Sequence, residues 1–153
     1  MNKSRIVAAI LEKLRAAFDT RRATSKQARA TGNDAETKAE GKYDTRSTEE
    51  NYLADGLAKQ ALAAMQAAAS FEKFPLRDFT SDDPIDLGAL VELEFPGVRD
   101  WFFLGPAAGG MEIEFDGKNV TVITPASPLG GQLIGKRAGD SIAAPAARIS
   151  VVQ

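Results

Sequence analysis

The stretch PLRDFTSDDPIDLGALVELEF, residues 75–95, decides how the rest of the chain is built. Its first ten residues hold Pro75, Pro84 and the acids Asp78, Asp82 and Asp83 without periodicity, the composition of a connection between two regions. From Ala89 to Phe95 apolar and acidic residues alternate, which predicts a strand with Pro96-Gly97 as its turn. Upstream the apolar rhythm is close to 3.6 residues, and downstream it is close to two. The chain is therefore expected to be α+β, with helices first and a sheet second.

Upstream, Ser4 to about Ala30 contains no proline or glycine, and Val7, Ile10, Leu14 and Phe18, with Leu11 beside them, recur at three- and four-residue steps. Beyond Phe18 the same face passes Arg21 and Arg22 and then offers only Ser25 and Ala28, so packing there is expected to be close but thinly apolar. Thr31-Gly32-Asn33 reads as the helix stop. A second helix is expected from Ser47 or Thr48, where Ser47 and Glu50 make a capping-box spacing. Tyr52, Leu53, Leu57, Leu62, Met65, Ala68 and Ala69 supply its expected apolar stripe, which ends at Phe71 to Phe74 before Pro75. Two such helices make an antiparallel coiled-coil hairpin. Its turn, at about 31–47, holds Asp34, Glu36, Glu40, Asp44, Glu49 and Glu50 with almost no aliphatic side chain.

Downstream, Trp101 to Leu104 and Met111 to Phe115 read as strands, and Asp116-Gly117 is a hairpin dipeptide leading into Val120 to Ile123. Residues 128–134 hold one expected helical turn, and Ile149 to Val152 closes the sheet. The expected division is a hairpin over 1–75, a linker over 76–84 and a small antiparallel sheet domain with one short helix over 85–153.

Composition limits the chemistry. A chain of 153 residues that is 44% hydrophobic can bury a core. It holds neither cysteine nor histidine, which removes disulfides, thiolate zinc sites, imidazole metal clusters and Ser-His-Asp triads. A net charge of -2 argues against a general nucleic-acid binder, although Arg15, Arg21, Arg22, Lys26 and Arg29 line the first helix. Glu12 and Lys13 interrupt the first apolar run too early for a signal peptide, and no segment approaches the ~20 apolar residues of a membrane span. A soluble cytoplasmic protein is expected.

Residues 123–142, ITPASPLGGQLIGKRAGDSI, carry a resemblance. They resemble the C-terminal signature of the bacterial Gre transcript-cleavage factors: a strand, Ser-Pro-Leu-Gly, a Leu-Ile-Gly-Lys turn, Gly-Asp and a final strand. The resemblance covers roughly 85–153. On the residues themselves, Ser127-Pro128 can start a helix, Leu129, Leu133 and Ile134 cap the sheet, Gly135 and Gly139 permit tight backbone, and Asp140 bonds to turn amides. The resemblance implies an FKBP-like C-terminal domain that docks on RNA polymerase at the rim of its secondary channel. It assigns that contact to Ser127, Pro128, Leu129, Leu133 and Ile134, and the N-terminal coiled coil then enters the channel.

The resemblance also implies a function: a monomeric elongation factor that is no enzyme alone and stimulates the polymerase's own metal-dependent cleavage of backtracked RNA. It has no cofactor of its own. Tip carboxylates help hold a Mg²⁺ ion shared with the polymerase active site, and the nascent RNA 3′ end is met only indirectly. The Gre tip carries Asp-Leu-Ser-Glu-Asn, whereas this chain has Glu36-Thr-Lys-Ala-Glu40-Gly-Lys-Tyr-Asp44-Thr-Arg. Asp34, Glu36, Glu40 and Asp44 are thus candidates from position alone, with Asp44 first and Glu40 next as metal ligands. Lys38, Lys42 and Arg46 interleave with them.

Three alternatives stand beside this. One is occupation of the channel without cleavage, as a regulator or inhibitor of the polymerase. Another is an FKBP-like peptide binder or prolyl isomerase, with Trp101, Phe102 and Phe103 lining an apolar pocket. The third is a helical-hairpin module for another partner.

Overall fold

The structure is a computed structural model and describes residues 2–38 and 46–153, with side-chain surroundings given for 2–31, 33 and 48–153. In chain order the elements are α1 (Lys3–Lys38), α2 (Arg46–Glu72), β1 (Leu90–Phe95), β2 (Val98–Leu104), β3 (Glu112–Phe115), β4 (Lys118–Ile123), α3 (Pro128–Leu133), β5 (Ser141–Ala143) and β6 (Ala146–Val152). The α+β class is as expected: a helical hairpin, then a six-stranded sheet with one short helix. The sheet order is β3-β4-β2-β1-β6-β5, and every neighbouring pair is antiparallel except β2 and β4.

Two compact units emerge, Met1–Leu11 with Ala69–Gln153, and Glu12–Ala68. In the first, alternation along the strands gives the sheet two buried faces. One face contributes Val91, Leu93, Leu104, Ile123, Ile149 and Val152 to a core completed by Phe79, Ile85, Leu133, Ile142 and Ala147. On the other, Phe103 stacks on Phe71 of α2 at 6.5 Å, and the Arg5 guanidinium of α1 lies 5.1 Å from the Phe115 ring.

Residues 76–84, expected to be a linker, lie within this unit. Phe79 is a core residue, and the peptide N–H and hydroxyl of Thr80 both donate to Asp83 Oδ2, at 2.8 and 2.9 Å. Those two bonds, the backbone one foremost, hold the Asp83 carboxyl below its usual range. Lys3 is almost wholly buried, donates to the carbonyl of Arg77 and lies 4.8 Å from the Phe79 ring. Burial pulls its ammonium below the usual lysine value, against the opposing pull of Asp78.

The second unit holds most of the hairpin, and here two expectations fail. Helix α1 does not stop at Thr31-Gly32-Asn33 but continues to Lys38. Glycine inside a helix costs only about 1 kcal/mol relative to alanine, and Ala35, Glu36 and Lys38 are good helix formers that carry the helix past it. The stripe expected on α2 is also misplaced. Tyr52, Leu53, Leu62 and Met65 are exposed, and the buried positions are Ala54, Ala61, Ala64, Ala68 and Phe71. Those positions recur at three, four and seven residues, so the true seam follows the steady period rather than the largest side chains. On α1 the expected face holds, with Val7, Ile10 and Leu14 buried and Phe18 half-buried.

Alanine on one helix meets serine on the other. Ser25, 6% exposed, donates its hydroxyl to the carbonyl of Ala54 at 2.7 Å, which small side chains alone allow. One turn further along α1, Arg29 pairs with Asp55 at 2.7 Å. The sequence of contacts, Phe18 near Ala61, Ser25 on Ala54 and Arg29 on Asp55, runs in opposite directions along the two helices and makes the hairpin antiparallel.

Candidate functional site

The signature segment after β4 is built from a few reciprocal bonds. Ser127 is the N-cap of α3: its hydroxyl donates to the Thr124 carbonyl at 2.7 Å and accepts from the Gly130 N–H at 3.0 Å. Pro128 follows in the first turn, where a missing N–H is harmless. The backbone passes so close here that a Cβ on Gly130 would lie 2.0 Å from the Thr124 oxygen. Gln132 clasps the Ala144 backbone, donating to its carbonyl at 2.6 Å and accepting from its N–H at 3.3 Å. Gly135 and Gly139 adopt φ of 79° and 93°, the left-handed region that favours glycine. Asp140 Oδ2 accepts from the Arg137 N–H at 2.8 Å, the turn bond anticipated for it.

Of the five residues assigned to a polymerase contact, Leu133 is fully buried and serves the core. Ser127 and Leu129 are half-buried, whereas Pro128 and Ile134 are exposed. Ile134, at 40% exposure, is the large apolar side chain that this segment presents to solvent.

The acidic candidates divide differently. Glu40 and Asp44 lie outside the described residues. Asp34 and Glu36 fall within α1 rather than in a turn, and their side chains lie outside what is described. Among the described residues no cluster of three or more metal-ligating side chains occurs. Likewise, no described helix is long and apolar enough to cross a membrane.

The aromatic run takes a structural role. Trp101 and Phe103 are buried and Phe102 packs on the core. Where Trp101 does meet a cavity, that cavity is lined by Glu92, Arg99, Asp100, Lys118 and Asn119, with the Lys118 ammonium 4.7 Å from the indole. The lining of this cavity is mainly charged and polar, whereas the apolar pocket expected from Trp101, Phe102 and Phe103 would be built from their rings.

Sequence reasoning missed a groove in the hairpin. Phe18, Ser25, Ala58, Ala61 and Leu62 surround a cavity of about 400 Å³, rimmed by Arg22, Lys26 and Arg29. Its signal was present: alanines at 54, 61 and 68 with Ala58 between them leave room beside the seam.

No family model and no curated protein matches the chain. Solved structures do. The chain is similar to Gfh1. The crystal structure of the GreA factor homolog 1 (Gfh1) protein of Thermus thermophilus is 21% identical, with 95% of each chain covered and a TM-score of 0.35. A structure of the transcription factor Gfh1 is 21% identical over 95% of this chain and 94% of that one, with a TM-score of 0.37. Gfh1 of Thermus aquaticus is 22% identical over 95% of each chain, with a TM-score of 0.36.

Proposed function

We propose that the protein is a Gre-like transcription factor that binds RNA polymerase at its secondary channel and brings the acidic segment between α1 and α2 towards the active site, stimulating cleavage of backtracked RNA. The observation that supports this most is the folding of 123–142. The segment resembling the Gre signature forms a strand end, a Ser127-capped helix, glycine turns and an Asp140-held turn, in a sheet that follows a two-helix hairpin. On this reading Pro128 and Ile134 reach the polymerase, Ser127 and Leu129 set their position, and Leu133 anchors the helix from beneath.

The protein would act through its partner. With neither histidine nor cysteine, its own hydrolytic options are few. Carboxylates at Asp44 and Glu40 are hard oxygen donors of the kind Mg²⁺ prefers, and one or two protein carboxylates suffice where other ligands come from elsewhere. The ion, shared with the polymerase, supplies charge stabilisation to phosphodiester cleavage.

A second reading, channel occupation without cleavage, is favoured by a specific observation. The tip sequence departs from the Gre pattern, and α1 extends through Gly32 and Asn33 to place Asp34 and Glu36 on a helix. One experiment separates the two. Core RNA polymerase is captured on the tagged protein, and backtracked elongation complexes are then treated with wild type and Asp44→Ala. Shortened 3′ RNA with wild type alone supports cleavage, capture with unchanged RNA supports occupation, and failure to capture polymerase rejects both.

A further inference from the structure

We infer that the groove between α1 and α2 is a binding site for a small amphipathic anion with an acyl-like tail. Its floor is hydrocarbon, made of the half-buried Phe18 ring, Ala58, Ala61 and the exposed Leu62. Its volume, about 400 Å³, lies within the ~300–1,000 Å³ of small-molecule sites, which pair apolar walls with a few placed polar groups. Those groups are cations. Arg22, Lys26 and Arg29 sit at i, i+4 and i+7 and so share one side of α1. Arg29 is matched by Asp55, and the Arg22 guanidinium lies 5.9 Å from the Phe18 ring. Among the described residues neither Arg22 nor Lys26 has a carboxylate partner, so the rim carries uncompensated positive charge.

The same contacts select the tail. Ser25 lines the groove but spends its hydroxyl on the Ala54 carbonyl, and Arg29 spends a guanidinium edge on Asp55. Among the lining side chains no neutral donor is left unspent, and the Ser25 hydroxyl keeps only acceptor lone pairs, too little to read a base edge or a sugar. An unadorned hydrocarbon chain loses nothing there, while its head group meets Arg22 and Lys26. This site does not depend on the polymerase reading and lies outside the tip and the signature segment.

Dodecanoate, kept below the concentration at which it forms micelles, is titrated into the full chain and followed by calorimetry. One site per chain is expected. Arg22→Glu with Lys26→Glu should weaken binding by about tenfold or more, a loss of at least ~1.4 kcal/mol. Ala58→Phe, which fills the groove, should abolish it while helical circular dichroism is unchanged. Dodecyltrimethylammonium, with the same tail and the opposite charge, should not bind. Equal binding of the cationic amphiphile, tighter binding of adenosine monophosphate, or undiminished binding by the double charge variant would overturn the site. If Ala58→Phe perturbs the helices, the charge variant at two exposed positions decides alone.

Discussion

The two units of this chain are held together by different means. In the sheet unit Phe71, Phe103, Leu90, Leu93, Leu104 and Ile149 are fully buried and large. The hairpin between Glu12 and Ala68 buries chiefly Leu14 and alanines, together with Ser25. Apolar area drives burial at roughly 25 cal/mol per Å², so an alanine seam gains far less per position than a phenylalanine core. The hairpin offsets this with a directed hydrogen bond and a close helix approach, which fix register more than they add stability.

That contrast can be broken at its strong end. Phe103→Ala should cost about 3–5 kcal/mol, read as a lower denaturation midpoint of the sheet unit. A loss below ~1 kcal/mol would mean that the stacking on Phe71 contributes little. Gly130→Ala comes next, since its Cβ would meet the Thr124 carbonyl, and an overpacked site of this kind costs about 1–3 kcal/mol. Ser25→Ala should cost about 1 kcal/mol and raise amide exchange in the hairpin while leaving the sheet protected. If the sheet exchanged equally, the two units would not be energetically distinct. Asp55→Ala should cost ~1 kcal/mol or less, with the difference vanishing at high salt, because both partners of the Arg29 pair are solvent-exposed.

The smallest expected effect concerns pH. Burial lowers the folded pKa of Lys3 beneath 10.5, so between those two values the unfolded chain binds more protons and stability rises with pH. Lys3→Met should lack that rise in a series of thermal unfolding curves toward pH 10.5.

Much of this was legible in the residues. Alternation at Leu90 to Phe95, the Asp116-Gly117 dipeptide and the Val120 to Ile123 run each locate a strand, because successive side chains along a strand point to opposite faces and write a period of two into the sequence. Strand β5 was not legible, since Ser141–Ala143 is three residues long and is defined by its pairing with Ala146 to Arg148. The α2 seam is hidden in the sequence because alanine signals burial weakly when the larger Leu53, Leu62 and Met65 stand one step from Ala54, Ala61 and Ala64. The 76–84 segment reads as a linker because its aspartates and Pro84 dominate its composition, whereas Phe79 sits in the core and the carbonyls of Arg77 and Asp82 accept from Lys3 and Arg137. The cationic groove escaped notice because it is made by what two helices omit, a property of the pair.

Strand β6 lies between β1 and β5, and it bonds to β1 across nearly the whole length of the sheet domain, Val91 facing Val152. During synthesis the β1–β2 and β3–β4 hairpins leave the ribosome first, yet half of β1's backbone groups wait for a partner about sixty residues downstream. The nascent sheet is thus an open edge until its last-made strand slots into the interior. A ribosome stalled shortly after Ala146 would expose an unfinished, pairing-hungry surface, and completion of the domain should register as one late, abrupt step.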